Sequence, residues 1–352
     1  MRRALRWLLG ILLLGLLALA GADYLVWRWS GGLIGAYYAD WRTAREAEGW
    51  KVESGVPRLT GWPFEARLIV PDFALKGGAT MMPGGMSFGL PELDLAVAIT
   101  EPRDLRITPG GTARATFAFL PPLAIDAAAI ALHTTLTAAD DAAPLAGEAR
   151  QVTIRLDQIP KDAAQGVVLA IDRIDFLLSV PAAPPSLTLH LQASGIDLPQ
   201  AVAWPFGPHI GRFSFDARLA PLLAAPGADF AATEAAWRQA GGAVNLAATL
   251  TDWGGATMSG EAKLDLDDRF NPKGIGLLHL IDPDAAVAGL ARQGMIPPTS
   301  VQAIGAVLHL LTHPATDGGK PTVDLPLSLA DGVVSAGGIP LLRLSEAGVS
   351  AP

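Results

Sequence analysis

Hydrophobic and polar positions follow three rhythms along this chain. The first is an unbroken run: every residue from Trp7 to Ala22 is apolar or glycine, Arg2, Arg3 and Arg6 precede it, and Tyr24, Trp27 and Trp29 follow. Such a run falls between a signal-peptide core of roughly 7–15 residues and a membrane span of roughly 17–25. Ala18-Leu19-Ala20 and Ala20-Gly21-Ala22 are small-x-small triplets that a signal peptidase could cut. Apolar character resumes after Asp23 with Tyr24-Leu25-Val26-Trp27, so Trp7 to Trp27 is long enough to span. Trp27 and Trp29 beside Arg28 then form an interfacial belt. The basic end stays in the cytoplasm and the rest of the chain is exported. Residues 1–30 are therefore expected to be a signal anchor held by Arg2, Arg3, Arg6, Trp7, Trp27 and Trp29. The alternative is a cleaved signal peptide.

The second rhythm is helical. Tyr37, Tyr38, Trp41 and Ala44 recur at helix spacing, which predicts a juxtamembrane helix within 31–49, ending at Gly49. From Trp50 onward the third rhythm, a period of two, takes over. Ala66, Leu68 and Val70 alternate with Glu65, Arg67 and Ile69, and Leu93, Leu95, Val97 and Ile99 share one face. Leu187, Leu189 and Leu191 oppose Thr188, His190 and Gln192, while Phe213, Phe215, Ala217 and Leu219 oppose Arg212, Ser214, Asp216 and Arg218. Val244, Leu246, Ala248 and Leu250 lead through Asp252-Trp253-Gly254-Gly255 to Met258, Ala262, Leu264 and Leu266, a hairpin. Two closing strands flank Asp331-Gly332. Strands that alternate in this way have one face on a core and one face wet.

Helices are few. Asp282-Pro283 caps a helix over 283–293 that Gly294 terminates, and Thr299 with Gln302 starts another over 299–312. The expected fold is α+β and β-dominated: a transmembrane helix, then an extended, mainly antiparallel sheet with a few packed helices near the carboxyl end. Val180-Pro181-Ala182-Ala183-Pro184-Pro185 separates a β-rich half over 50–180 from a second over 187–352. Trp-Pro-Phe occurs in both halves, at 62–64 and 204–206, each ahead of an Ala-Arg-Leu. Duplication and coincidence both remain open.

Composition narrows the function. Of 26 basic and 34 acidic residues, the first thirty hold four arginines and one aspartate, leaving 22 against 33, or −11, for the exported part. An acidic body without a Lys/Arg block argues against nucleic acid and against electrostatic docking on anionic lipid. The absence of cysteine removes disulfides, thiolate metal sites and cysteine nucleophiles. With 38 Gly, 28 Pro and 50% hydrophobic residues, the chain reads as a turn-rich β globule.

Candidate chemistry is thin. His309 and His313 are one helical turn apart, but His-Leu-Leu-Thr-His lacks the glutamate of a metalloprotease helix. Asp265 and Asp267 would point the same way along a strand, yet they run into Asp268-Arg269-Phe270-Asn271-Pro272, where acids and Asn satisfy local backbone groups. No Gly-x-Ser-x-Gly elbow and no phosphate-cradling Gly-Lys loop occurs. No catalytic residue, cofactor or metal site is expected.

One further pattern runs through Gly61-Trp62-Pro63-Phe64-Glu65-Ala66-Arg67-Leu68, Pro102 to Ile107, Pro109-Gly110-Gly111, Ala236-Trp237 and Gly241-Gly242. It continues through Gly260 to Asp267, Gly294-Met295-Ile296, Leu325-Pro326-Leu327 and Asp331-Gly332-Val333. This order resembles the alphaproteobacterial domain-of-unknown-function family 2125. Trp62 and Glu65 stand where that family has Phe or Tyr and a basic residue. The resemblance implies an envelope protein attached to the inner membrane, its bulk in the periplasm, and carries no activity with it. The leading expectation is a non-enzymatic protein presenting a β surface to a lipid or an envelope protein, as an open apolar groove or a closed core. A scaffold without lipid binding and a periplasmic hydrolase are the alternatives.

Overall fold

The computed structural model describes residues 2–77, 85–117, 120–136, 143–156, 167–181, 185–199, 204–221, 230–267, 271–294, 301–302, 305–306, 312–313, 321–336 and 339–343. The run at the amino end and the aromatic stripe after it form one uninterrupted helix, α1 (Arg2–Ala47), rather than two elements. Nothing between Ala22 and Leu33 breaks it, because Gly31 and Gly32 lower helix propensity without removing a backbone donor. Gly49, at φ +91, ends it as the sequence predicts.

Strands follow almost without interruption: β1 (Trp50–Glu53), β2 (Arg58–Thr60), β3 (Glu65–Gly77), β4 (Met86–Ala98), β5 (Glu101–Gly110), β6 (Ala113–Phe117), β7 (Leu120–Asp126), β8 (Ala129–Thr135) and β9 (Leu145–Leu156). Next come β10 (Val167–Ser179), β11 (Leu187–Asp197), β12 (His209–Ala220), helix α2 (Phe230–Gln239), β13 (Ala243–Trp253), β14 (Ala256–Leu266) and β15 (Pro272–Ile281). Helix α3 (Pro283–Arg292), β16 (Thr312–His313), β17 (Thr322–Ala330), β18 (Val333–Ala336) and β19 (Ile339–Arg343) complete it. All pairings are antiparallel and nearly all join sequence neighbours. In space β1 and β2 share one edge of β3, β5 with β6 and β7 with β8 act as broken single strands, and the rest run in order. The fold is a long antiparallel meander with a helix at one end.

The proline-rich stretch 181–186 joins two directly paired strands, β10 and β11, from Ala170↔Asp197 to Ser179↔Thr188. The hairpin at 243–266 forms with Trp253 opposite Ala256 and positive φ at Asp252, Gly254 and Gly255. Asp282 caps α3, its carboxylate accepting from the Ala285 amide at 3.2 Å with Pro283 in the first turn. Helix α2 has no counterpart in the sequence reading. Most of 299–312 lies outside the described residues. Thr312 and His313 pair with Val323 and Thr322 as strand, so the expected helix does not reach them.

A crease crosses the sheet. In β11, Leu187, Leu189, Leu191 and Ala193 share a face with Ile196, because Ser194 and Gly195 are both spent turning the strand. The same two-residue step falls at Pro71-Asp72, Pro91-Glu92, Arg150-Gln151, Asp172-Arg173, Gly211-Arg212 and Thr251-Asp252, aligned by the strand register. Positive φ occurs on every second strand of that line, at Asp72, Gly111, Gln151, Gly195 and Asp252. These are strands of one direction, each turned at the crease by a residue with positive φ, and the pairing of β3 with β4, β9 with β10, β10 with β11 and β11 with β12 keeps its register through it. On both sides of the crease the apolar residues stay on one face and pack as a cluster that buries Val152, Ile171, Ala193, Ile196 and Ile210.

Candidate functional site

Register makes that face a set of apolar ladders. From Leu59 the line passes through Leu68, Leu95, Ile107 and Leu132 to Gly147. It continues through Phe176, Leu191, Phe215, Ala248, Gly260 and Leu278 to Leu325. No polar side chain interrupts it. A neighbouring ladder runs from Ala66 through Val97 and Leu105 to Thr134, and from Leu145 through Leu178 and Leu189 to Ala217, then Leu246, Ala262, Gly276, Leu327 and Ala336. A third links Ala149, Ile174, Ala193, Phe213, Leu250, Met258, Leu280 and Val323. At roughly 4.8 Å between strands, the first ladder is on the order of 50–60 Å long.

Helix α1 fills one end of this face, and α3 packs near β14 toward the other, where Ala256 and Val323 are buried. Ile34, Tyr38, Tyr37 and Trp41 of α1 lie on β3, β4 and β5, where Val70, Val97 and Leu105 are fully buried. Each such side chain is worth roughly 1.5–3 kcal/mol of burial. Past α1 the ladder residues of β10 to β15 are half-buried rather than buried, apart from Ala193. Small residues alternate with large ones there. Phe176 lies over Gly147, where a Cβ would come within 2.2 Å of its ring, and Phe213 and Phe215 stack at 6.2 Å. At the margin of α1 an apolar cavity of about 270 Å³ opens between Tyr37, Tyr38, Trp41, Phe73, Leu105, Ile107 and Leu145. It connects the helix to the ladders through Leu145.

The opposite face is polar and self-paired. Arg173 bonds Asp175 at 2.7 Å and Glu148 at 3.3 Å. The Arg173 hydrogen bond holds the Asp175 carboxyl below the usual carboxylate range and raises the guanidinium in turn. His190 pairs with Asp216 and His279 with Asp324 across neighbouring strands, and Arg67 pairs with the buried Asp94. His209 pairs with Asp197 at 2.9 Å at the strand end. These titratable groups are satisfied in pairs on the side away from the ladders.

The other sequence candidates do not converge. Asp265 lies 3.7 Å from Lys273 on the adjacent strand, while Asp267 sits beyond β14 and accepts from the Asn271 amide at 2.8 Å, closing the turn. His309 lies outside the described residues, and His313 is in β16 rather than on a helix. Among the described residues no three His, Cys, Asp or Glu come together as a metal site.

Of the residues expected to anchor the chain, Trp7 and Trp29 are exposed, and Trp27 is half-buried, donating to the Thr60 carbonyl at 3.2 Å. Arg2, Arg3 and Arg6 lie on α1, their side chains outside the described set. Trp7 to Trp27 measures about 30 Å along the helix, the depth of a bilayer's hydrocarbon core. The ladders are what the sequence reading missed. Each strand's alternation is visible, but nothing in one strand says which residue of the next will face it.

A family model described as uncharacterized protein conserved in bacteria (DUF2125) matches residues 27–345. No curated protein and no solved structure matches the chain.

Proposed function

The chain belongs to the DUF2125 family of uncharacterized bacterial proteins, and from that premise we propose that it is a non-enzymatic, inner-membrane-anchored periplasmic protein that shelters lipid acyl chains on its apolar sheet face. The observation that carries this reading is the Leu59-to-Leu325 ladder, half-buried past α1 and free of polar side chains. An ordinary core fills such a face with a second layer, because leaving it wet forfeits about 25 cal/mol per Å². A polymethylene chain matches it in width and in its lack of hydrogen-bonding groups. The cavity beside Tyr37 and Trp41 lies on the same helix, roughly 15–20 Å beyond Trp27, and gives an acyl chain a starting point on the apolar face. The paired acids, arginines and histidines of the opposite face support a solvated outer surface over a catalytic cleft.

The test is lipid extraction and mass spectrometry of the full-length protein purified in mild detergent. Wild type is expected to retain phospholipid above a detergent-matched control. Phe215→Asp, which charges the ladder, and Ala248→Trp, which fills it without a charge, are each expected to lose most of it. Ser214→Asp on the polar face should lose none. Retention that is equal in all four proteins would sink the reading. A protein partner recovered with no lipid would leave the scaffold alternative in its place.

A further inference from the structure

The motif Trp-Pro-Phe occurs twice, and the fold treats its two copies oppositely. At 204–206, Trp204 donates to the Pro199 carbonyl at 2.9 Å, and Phe206 packs edge-on against Trp253 at 5.2 Å. At 62–64 the rings are left bare: Trp62 is 50% exposed and Phe64 is 85% exposed. Their backbone is nevertheless fixed. The Glu65 amide donates to Gly61 at 3.2 Å and the Ile99 amide to Phe64 at 3.3 Å, closing the loop onto β3 and the β4–β5 turn. Two bulky rings are thus held out of the core by ordered backbone, and that arrangement calls for an apolar environment outside the protein.

Their position names that environment. Trp27 of α1 donates to Thr60, the residue before Gly61, and the Leu59 side chain covers Gly31, where a Cβ would lie 2.5 Å from its methyls. Along α1 this is the level where the helix changes from exposed at Leu25 and Trp29 to buried at Ser30 and Ile34. The loop therefore sits at the junction of the spanning part and the part packed on the sheet. We propose that Trp62 and Phe64 form a second membrane contact, inserted into the interfacial layer of the bilayer that α1 crosses. Tryptophan suits the headgroup boundary, and phenylalanine suits the upper acyl region. With α1 as one point and this loop as another, the sheet is held at a fixed tilt to the membrane.

The inference rests on α1 being membrane-inserted, and the test separates the two. The chain has no cysteine, so Phe64→Cys, Leu16→Cys and Val56→Cys each give a single site for an environment-sensitive fluorophore. The full-length protein is reconstituted in vesicles of phosphatidylethanolamine and phosphatidylglycerol, with and without spin-labelled lipid. Leu16 is on the spanning part of α1. Val56 is 81% exposed and lies two residues past Ser54, whose hydroxyl bonds Tyr38, a residue roughly 16 Å along the helix from Trp27. The expected result is blue-shifted emission at positions 16 and 64, with more than about half of it quenched from the bilayer. Position 56 should stay aqueous. A lipid-embedded 16 with an aqueous 64 overturns the loop contact and leaves the anchor standing. An aqueous 16 overturns both.

Discussion

Single residues set the bends of this sheet, and glycine matters at few of them. Gly195 is at φ +61, and an added Cβ would fall 2.1 Å from the Asp172 carboxylate that arches over it. Gly195→Ala is expected to cost roughly 1–3 kcal/mol, because it combines a strained backbone with a collision. Gly241→Ala, at φ +73 with nothing within 4 Å, carries the backbone part alone and should cost about 1 kcal/mol. Equal losses in thermal or urea denaturation would show that the close approach at the crease is unimportant. Charge acts at this scale too. Lys51 and Lys76 face each other across β1 and β3, and Glu53 bridges them at 2.6 Å to each. Hydrogen bonds from those lysines lower the Glu53 carboxyl from 4.5 to about 2. A depressed folded pKa stabilises above the unfolded value and is lost as pH falls. Wild type should therefore shed stability between about pH 4.5 and about pH 2, with the Glu53→Gln protein shedding less. The Glu53 side chain is 39% exposed, so the difference should shrink in high salt. A thermal midpoint measured against pH, with and without salt, checks it.

At the scale of elements, the two ends of the apolar face should respond differently to truncation. Leu105 is fully buried beneath α1, and Leu105→Ala should cost about 2–5 kcal/mol with a cavity left behind. Phe215 is only half-buried, so Phe215→Ala should cost less stability while lowering the amount of lipid retained. Denaturation midpoints alongside extracted lipid decide it, and a Phe215→Ala protein as unstable as Leu105→Ala would mean a filled core at both places. The elements legible in the sequence were those with strong local signals. The strands at 65–70, 93–98, 187–191, 212–219 and 243–266 show clean alternation, and Asp282-Pro283 announces α3. Strands β5 to β10 were not read, since Pro102, Pro109, Pro121 and Pro122 and the crease residues interrupt their alternation. The shift of one residue at Gln151 or Asp172 flips which parity faces inward, so a period-two count cancels across it. Helix α2 escaped because Phe230-Ala231-Ala232-Thr233 offers little apolar stripe.

At the scale of the whole molecule, a long meander anchored at one end predicts that ligand and stability are linked. Phospholipid titrated into delipidated protein should raise the thermal midpoint by mass action, and Ala248→Trp should remove the rise. A midpoint indifferent to lipid would speak against occupancy of the ladders. The sequence by itself determined the helix at the amino end with its aromatic and basic flanks, the antiparallel β character, the caps and turns at Gly49, Asp282 and Asp331-Gly332, and the family, because each is written in neighbouring residues. Tertiary structure alone decided that α1 runs unbroken onto the sheet and that the strands on either side of 181–186 pair directly. It also aligned Leu59 to Leu325 in one apolar line and left one Trp-Pro-Phe covered and the other bare. Those outcomes depend on strand register and on which surfaces meet. Both are set by contacts between residues far apart in the chain, where a local pattern carries no information about the partner.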